Sequence, residues 1–383
     1  MSTTLGQVVA ALEAAYPPKT AESWDAVGLV CGDRAEPVSR VLFCVDPVAA
    51  TVDEALEVGA QLIVAHHPLL LRGVNGVPAD DPKGNLVHRL IRGGVGLFCA
   101  HTNADVANPG VSDALAEAIG LTVTGPLAAN PVEPRDVLTT FVPRADAERV
   151  FAALHGAGAG ALGDYRETGF AVDGTGRFRP EVGANPAIGS VGDVEHVEET
   201  RIELVLPRRL RGRVVAALRA AHPYEEVAFN LHEMAELPSS TGSGRIGELA
   251  EAEPLHVFTQ RVADALPATE WGVRAGGDPD RMIRRVAVCG GAGDSYLNAA
   301  TAAGVDAYVT ADLRHHPAGE HLAKGAGVPA LVDVSHWASE WPWCEQAAGV
   351  VEREFNGTVG VLVSTRRTDP WTVGATSRTR RTN

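Results

Sequence analysis

Two adjacent histidines at the end of a short apolar run constrain this chain more than any other feature. Gln61-Leu62-Ile63-Val64 is bounded and rich in branched residues, which marks a buried strand, and it leads into Ala65-His66-His67-Pro68. Inside a strand, neighbouring side chains point to opposite faces, so the pair could not share a site there. Pro68 ends the ladder and turns the chain out of the sheet. His66 and His67 therefore fall just past a strand's carboxyl end, where both can converge. In open parallel sheets that edge is where ligands bind.

Three other stretches repeat the arrangement. Val95 to Cys99 leads into Ala100-His101-Thr102-Asn103-Ala104-Asp105, Ala307 to Thr310 into Asp312-Leu313-Arg314-His315-His316, and Ala330 to Val334 into Ser335-His336 with Glu340 beyond. Six of the 13 histidines thus follow strand ends with acids beside them. If the segment after Val334 turns helical, His336 and Glu340 share a face. Asp105 sits four residues after His101 and adds a second carboxylate. Three imidazoles and two carboxylates are too many donors for one tetrahedral ion and suit two ions about 3.5–4 Å apart. Mixed nitrogen and oxygen donors fit zinc, manganese or iron without selecting among them.

The order strand, helix, strand up to His66 makes a parallel crossover unit, so the class is α/β. From about residue 130 the pattern changes to strand-helix-strand-strand-helix-strand, a ferredoxin-like α+β unit. The division expected is a discontinuous core, 1–129 with 237–383, interrupted by an insert at 130–236. Within the insert, Arg166 to Val172 reads as a strand, 173–194 as a polar loop, and Asp146 as a helix cap. The histidine motifs lie on both sides of it, so if both flanks form one sheet, the site is assembled from the two ends of a discontinuous domain. Residues 366–383 read as a flexible basic tail.

Three local features carry two readings each. Trp24-Asp25 is either part of the site or a packing tryptophan with an aspartate capping a turn. The stretch Cys289-Gly290-Gly291-Ala292-Gly293 either cradles an anion on backbone amides or is a tight turn that needs glycine. His222-Pro223-Tyr224-Glu225-Glu226-Val227-Ala228 is either a contact surface or a turn into the last strand of the insert.

A net charge of -15 on 383 residues argues against nucleic acid or anionic membrane as partner and is compatible with cation binding. No apolar run approaches bilayer length, and the N-terminus lacks the pattern of a signal peptide. Five scattered cysteines without a CxxC pair suit a reduced, cytoplasmic setting.

Together, Ser23-Trp24-Asp25-x-Val27-Gly28-Leu29, Ala65-His66-His67-Pro68-Leu69, Ala100-His101-Thr102-Asn103-x-Asp105, Thr310-x-Asp312-x-x-x-His316 and Asp333-x-Ser335-His336-x-x-Ser339-Glu340 resemble the Nif-three-like family, whose members are also called GTP cyclohydrolase 1 type 2 homologues. The resemblance spans nearly the whole chain. It implies a three-layer α/β/α core, two divalent metal ions, a homohexamer, and an insert resembling the PII and CutA proteins. It implies His66, His67, Asp105, His336 and Glu340 as metal ligands. His101 and His316 would lie close to the metals and move a proton, with His315 less directly involved. Ala26 and Ser335 depart from the family pattern, where asparagine and glycine are usual. The function implied is a metal-dependent hydrolase acting on a nucleotide or related small molecule, with a non-catalytic metal-holding or regulatory protein as the alternative.

Overall fold

The structure is a computed structural model and describes residues 2–375. Part of the expected tail lies outside the described residues. The chain divides into two compact units, 1–130 with 239–383, and 131–238.

The first unit opens with α1 (Leu5–Ala15), fixed at its start by a capping box in which Thr4 and Gln7 each accept the other's backbone amide. There follow β1 (Gly28–Cys31), β2 (Arg40–Cys44), α2 (Ala49–Val58), β3 (Leu62–Ala65), α3 (Pro82–Arg92), β4 (Gly96–Cys99), α4 (Thr102–Val106), α5 (Val111–Ala118) and β5 (Thr122–Ala129). The second unit holds β6 (Arg135–Pro143), α6 (Ala147–Gly156), β7 (Phe170–Phe178), β8 (Glu195–Pro207), α7 (Arg211–Ala221) and β9 (Phe229–Glu233). The first unit resumes with β10 (Gly242–Pro254), α8 (Leu255–Ala265), β11 (Arg274–Gly276), β12 (Met282–Ala292), α9 (Leu297–Ala302), β13 (Ala307–Ala311), α10 (His315–Leu322), β14 (Ala330–Val334), α11 (His336–Phe355) and β15 (Gly360–Val363).

The expected single core sheet is in fact two. One has the order β1-β4-β3-β2-β15, the other β11-β14-β13-β12-β10-β5. Each flank of the insert completes the other's sheet: β15 pairs parallel with β2, and β5 pairs antiparallel with β10. Strand composition specifies burial but not the neighbouring strand, so one sheet and two read alike in sequence.

The layering follows from the packing. Phe43, Leu62 and Phe98 of the first sheet and Val286, Val309 and Val332 of the second belong to one buried cluster, with α1, α5, α8 and α11 between them. α2 and α3 cover the first sheet's outer face, and α9 and α10 the second's. The core therefore has five layers, where three were expected. Strands covered on both faces must be apolar throughout, and β3 and β4 are buried at every position. Each fully buried Leu, Ile or Phe contributes roughly 1.5–3 kcal/mol.

In the second unit all strand pairs are antiparallel, in the order β7-β8-β6-β9. Val150 and Leu154 of α6 and Val214 and Leu218 of α7 pack on Leu138, Ile202 and Leu204. This is the ferredoxin-like order. β7 occupies Phe170–Phe178, so most of the expected strand at 166–172 is displaced into the expected loop. Its residues are largely exposed and include Gly174 and Gly176, which erased the alternation that marks a strand. Asp146 caps nothing with its side chain and instead binds Arg149. Among the described residues no helix is long and apolar enough to cross a membrane.

Candidate metal centre

β3 delivers the first two histidines. The amides of His66 and His67 bond to the carbonyls of Cys44 and Val45, one step beyond the β2–β3 ladder, before Pro68 turns the chain away. β4 ends at Cys99, two residues before His101, which precedes α4, so Asp105 comes round one turn later. β14 ends at Val334, and α11 begins on His336, which places Glu340 on the same face.

Glu340 is the centre of the group. Its carboxylate, 3% exposed, has Oε1 3.4 Å from His66 Nε2 and 3.1 Å from His336 Nε2, and Oε2 3.0 Å from His67 Nε2. Asp105 Oδ1 lies 3.7 Å from His66 Nε2. His101 brings a ring nitrogen close to those of His66 and His67. The structure thus gathers His66, His67, His101, Asp105, His336 and Glu340. It does not gather His315 and His316. Both stand exposed at the start of α10, their rings 5.2 Å apart, away from this group.

Each of the four imidazoles is held through Nδ1 by an oxygen acceptor. His66 donates to Ala100 O at 2.9 Å, His67 to Asp46 Oδ1 at 2.7 Å, His101 to Asp25 Oδ1 at 2.9 Å and His336 to Asp312 Oδ2 at 2.7 Å. That arrangement fixes one tautomer and aims a bare Nε2 inward, as ligating histidines are held. Asp25 also accepts from the Thr102 amide and hydroxyl. It is a buried support of His101 and more than a turn cap. Trp24 is 58% exposed, its ring edge-on to His101 with centroids 6.0 Å apart, so it does not pack in the core.

A second tier fixes the supports. Thr368 donates its hydroxyl to Asp46 Oδ2, the oxygen that His67 does not use. Ser335 donates to Asp369 Oδ2 at 2.5 Å, and Trp371 N to Asp369 Oδ1 at 3.0 Å. Residues 368–371, expected in a flexible tail, therefore form a strap across the supports of His67 and the turn before His336. Ser335 supplies the hydroxyl that the usual glycine could not. Gly291 has φ +67°, and a Cβ there would collide with Glu340 and come within 3.2 Å of His336 Nε2. Its amide donates to Ser339 Oγ at 2.9 Å. The glycine-rich stretch is the wall against which Glu340 lies.

The electrostatics follow from crowding. Burial opposes ionisation of Glu340, yet His336, His67 and His66 outweigh it and hold the carboxyl well below its usual range. Glu340 lifts His336 to about 11. Burial works against charge on His67, but Glu340 and Asp46 raise it to about 10. His101 is lowered, by burial and then by His66, against the pull of Asp25. Asp105 is pushed up to about 6 by burial, with Glu340 adding to it against His66.

Among the described residues, His66 Nε2 and Glu340 Oε2 are buried without a well-formed hydrogen bond, although His67 Nε2 lies 3.0 Å from the latter. Buried polar atoms left bare are costly. Two overlapping trios of donors, His66-His67-His101 and His67-His336-Glu340, have their ligand atoms within 4.8 Å of one another. The donor set is compatible with metal ions, and the bare atoms are where ions would satisfy it. Four of the group, His101, Asp105, His336 and Glu340, line a pocket of about 460 Å³ together with Trp24, Gly290, Gly291 and Tyr296.

The comparisons with known proteins agree in extent. The profile of the family described as Duf34/NIF3 (NGG1p interacting factor 3) matches residues 3–370. A Mycobacterium tuberculosis protein named GTP cyclohydrolase 1 type 2 homolog is 55% identical over 372 residues, 97% of each chain. A Bacillus subtilis protein of the same name is 38% identical over 334 residues, covering 87% of this chain and 88% of its own. Among solved structures, a Bacillus cereus protein related to NIF3 superposes with a TM-score of 0.68 at 35% identity, covering 97% of this chain and 99% of its own. A Staphylococcus aureus protein reaches 0.73 at 27% identity over the same shares.

Proposed function

The chain belongs to the Duf34/NIF3 family, and on that premise we propose that it is a dinuclear metal protein and a metal-dependent hydrolase of a nucleotide or related small molecule. His67, His336 and Glu340 would hold one divalent ion, and His66 and Asp105, beside Glu340, would hold the other. Zinc, manganese and iron all suit this set. Such ions supply a water of lowered pKa and polarise the attacked atom.

The remaining steps belong to the chain. His101, kept neutral near pH 7 by its lowered pKa, presents Nε2 as a proton acceptor while Asp25 fixes its ring. His316, expected to move a proton as well, is exposed at the start of α10 and is not among the gathered donors. Among the described residues no Lys or Arg lines the pocket. The amides of Gly290 and Gly291 are already given to Ser112 Oγ and Ser339 Oγ, so a phosphate would depend on bound ions. The GTP cyclohydrolase name of the relatives gives the substrate class to try first.

The observation that carries the reading is the pocket: a buried donor cluster opens on a space of the size small-molecule sites take. The test is metal content per chain by elemental mass spectrometry, with Glu340→Ala in parallel, followed by turnover of nucleotides by the loaded protein. About two equivalents that fall sharply in the variant support the centre. Metal without turnover of any nucleotide or small phosphate ester supports the metal-holding alternative. Content below half an equivalent that the variant leaves unchanged overturns both. The homohexamer implied by the resemblance is likewise proposed, and light scattering of the purified chain reads it.

A further inference from the structure

We propose that the second unit carries a binding site for an organic ammonium cation with an apolar body. The unit encloses a cavity of about 830 Å³ between the β7–β8 hairpin, the segment after β7 and the His222–Ala228 stretch. At its wall lies Glu199, 9% exposed. Its Oε1 accepts from the Tyr224 hydroxyl at 2.9 Å. Among the described residues its carboxylate has no ion-pair partner. A charge so buried with one neutral donor is costly unless a cation joins it.

The surroundings supply the rest of a cation site. Phe141, Phe178 and Tyr224 line the cavity, with the Phe178 and Tyr224 rings 5.7 Å apart and edge to face. Aromatic faces beside a carboxylate recognise ammonium groups and exclude anions. The other charges at the cavity are engaged or peripheral. Asp173 binds Arg144 and the Thr200 hydroxyl, Arg201 binds Glu203 at 2.6 Å, and Glu225 accepts the Asn185 amide. Arg177, Arg179, Glu181 and Glu226 are exposed, where solvent screens them.

The local sequence keeps the site open. A Cβ on Gly176 would collide with the Glu199 carboxylate, so the glycine in β7 makes the space that the acid fills. His222 bonds through Nε2 to Phe141 O at 2.9 Å and accepts the Tyr224 amide on Nδ1 at 3.1 Å. It thereby sets Tyr224 over Glu199. The His222 to Ala228 stretch is thus neither a bare turn nor only a surface: it forms one side of a cavity.

The test compares 2-phenylethylamine, protonated at neutral pH, with 2-phenylethanol, its uncharged counterpart, by calorimetry and ligand-observed NMR on the full chain. A chelator present throughout separates this site from the metal centre. The amine is expected to bind saturably and the alcohol at least about tenfold more weakly. Glu199→Gln keeps the shape and the tyrosine contact, and is expected to weaken the amine about tenfold while leaving the melting temperature unchanged or raised, since a buried charge is gone. Should that variant fail to fold, Phe178→Leu is expected to weaken the amine about threefold. Equal affinity for amine and alcohol, equal affinity in both variants, or no saturable amine binding up to about 10 mM overturns the proposal. So does a second copy of the chain that covers the cavity and keeps the amine out.

Discussion

Asp312 holds the His336 imidazole at 2.7 Å from a backbone conformation that most residues avoid, with φ +55°. Aspartate is among the few side chains that tolerate this region. The strain places a carboxylate behind an imidazole of the candidate centre. Asp312→Ala is expected to lower metal affinity about 10–100-fold, as loss of such a support does. Asp312→Gly relieves the backbone and is expected to lose the same affinity. Chelator competition reads both, and a glycine variant with native affinity would show that the carboxylate does not matter.

Gly291→Ala tests the wall. The new Cβ meets Glu340 and His336 from a left-handed position, so both overpacking and backbone strain act. The expected cost is about 2–3 kcal/mol, seen as a lower melting temperature together with lower metal content. Native metal content at native stability would mean that Glu340 has room to retreat.

Thr368→Val removes one hydroxyl from the strap and keeps its shape. Asp46 then holds His67 without its own partner. Metal loss to a chelator is expected to quicken about threefold to tenfold, with about 1 kcal/mol of stability lost. Unchanged loss rates would reduce the strap to packing alone.

In the second unit, Asp136 is buried and accepts from Arg211 Nε at 2.7 Å and Arg208 Nε at 3.1 Å. Arg211 first, with Arg208, holds its carboxyl below the usual range against the opposing effect of burial. A folded value lower than the unfolded one, near about 3.9, gives stability that is full above about pH 4 and fades as pH falls through the folded value. Asp136→Asn is expected to lose about 2 kcal/mol at neutral pH and to melt with less dependence on pH between about 4 and 2. Parallel acid profiles of variant and parent would remove Asp136 from the acid response.

The clustered histidines were legible because each stands just past an apolar, strand-like run. Their supports were half legible. Asp46 and Asp312 stand at strand ends in plain view, but nothing local says which histidine they face. Asp25 read equally well as a turn cap, because its partners His101 and Thr102 lie more than 70 residues away. His316 keeps the motif spacing, yet α10 begins there and leaves it exposed. The strap was read as a tail because its composition is polar and basic, while its two anchors, Thr368 and Asp369, carry no pattern of their own.

The strap also sets an order of events. During synthesis His67 leaves the ribosome some 300 residues before Thr368, so the Asp46 that holds it gains that further partner only late. His336 waits on the same stretch through Ser335 and Asp369. The posture of donors near residue 66 is therefore completed by contacts written some 300 positions further along the sequence.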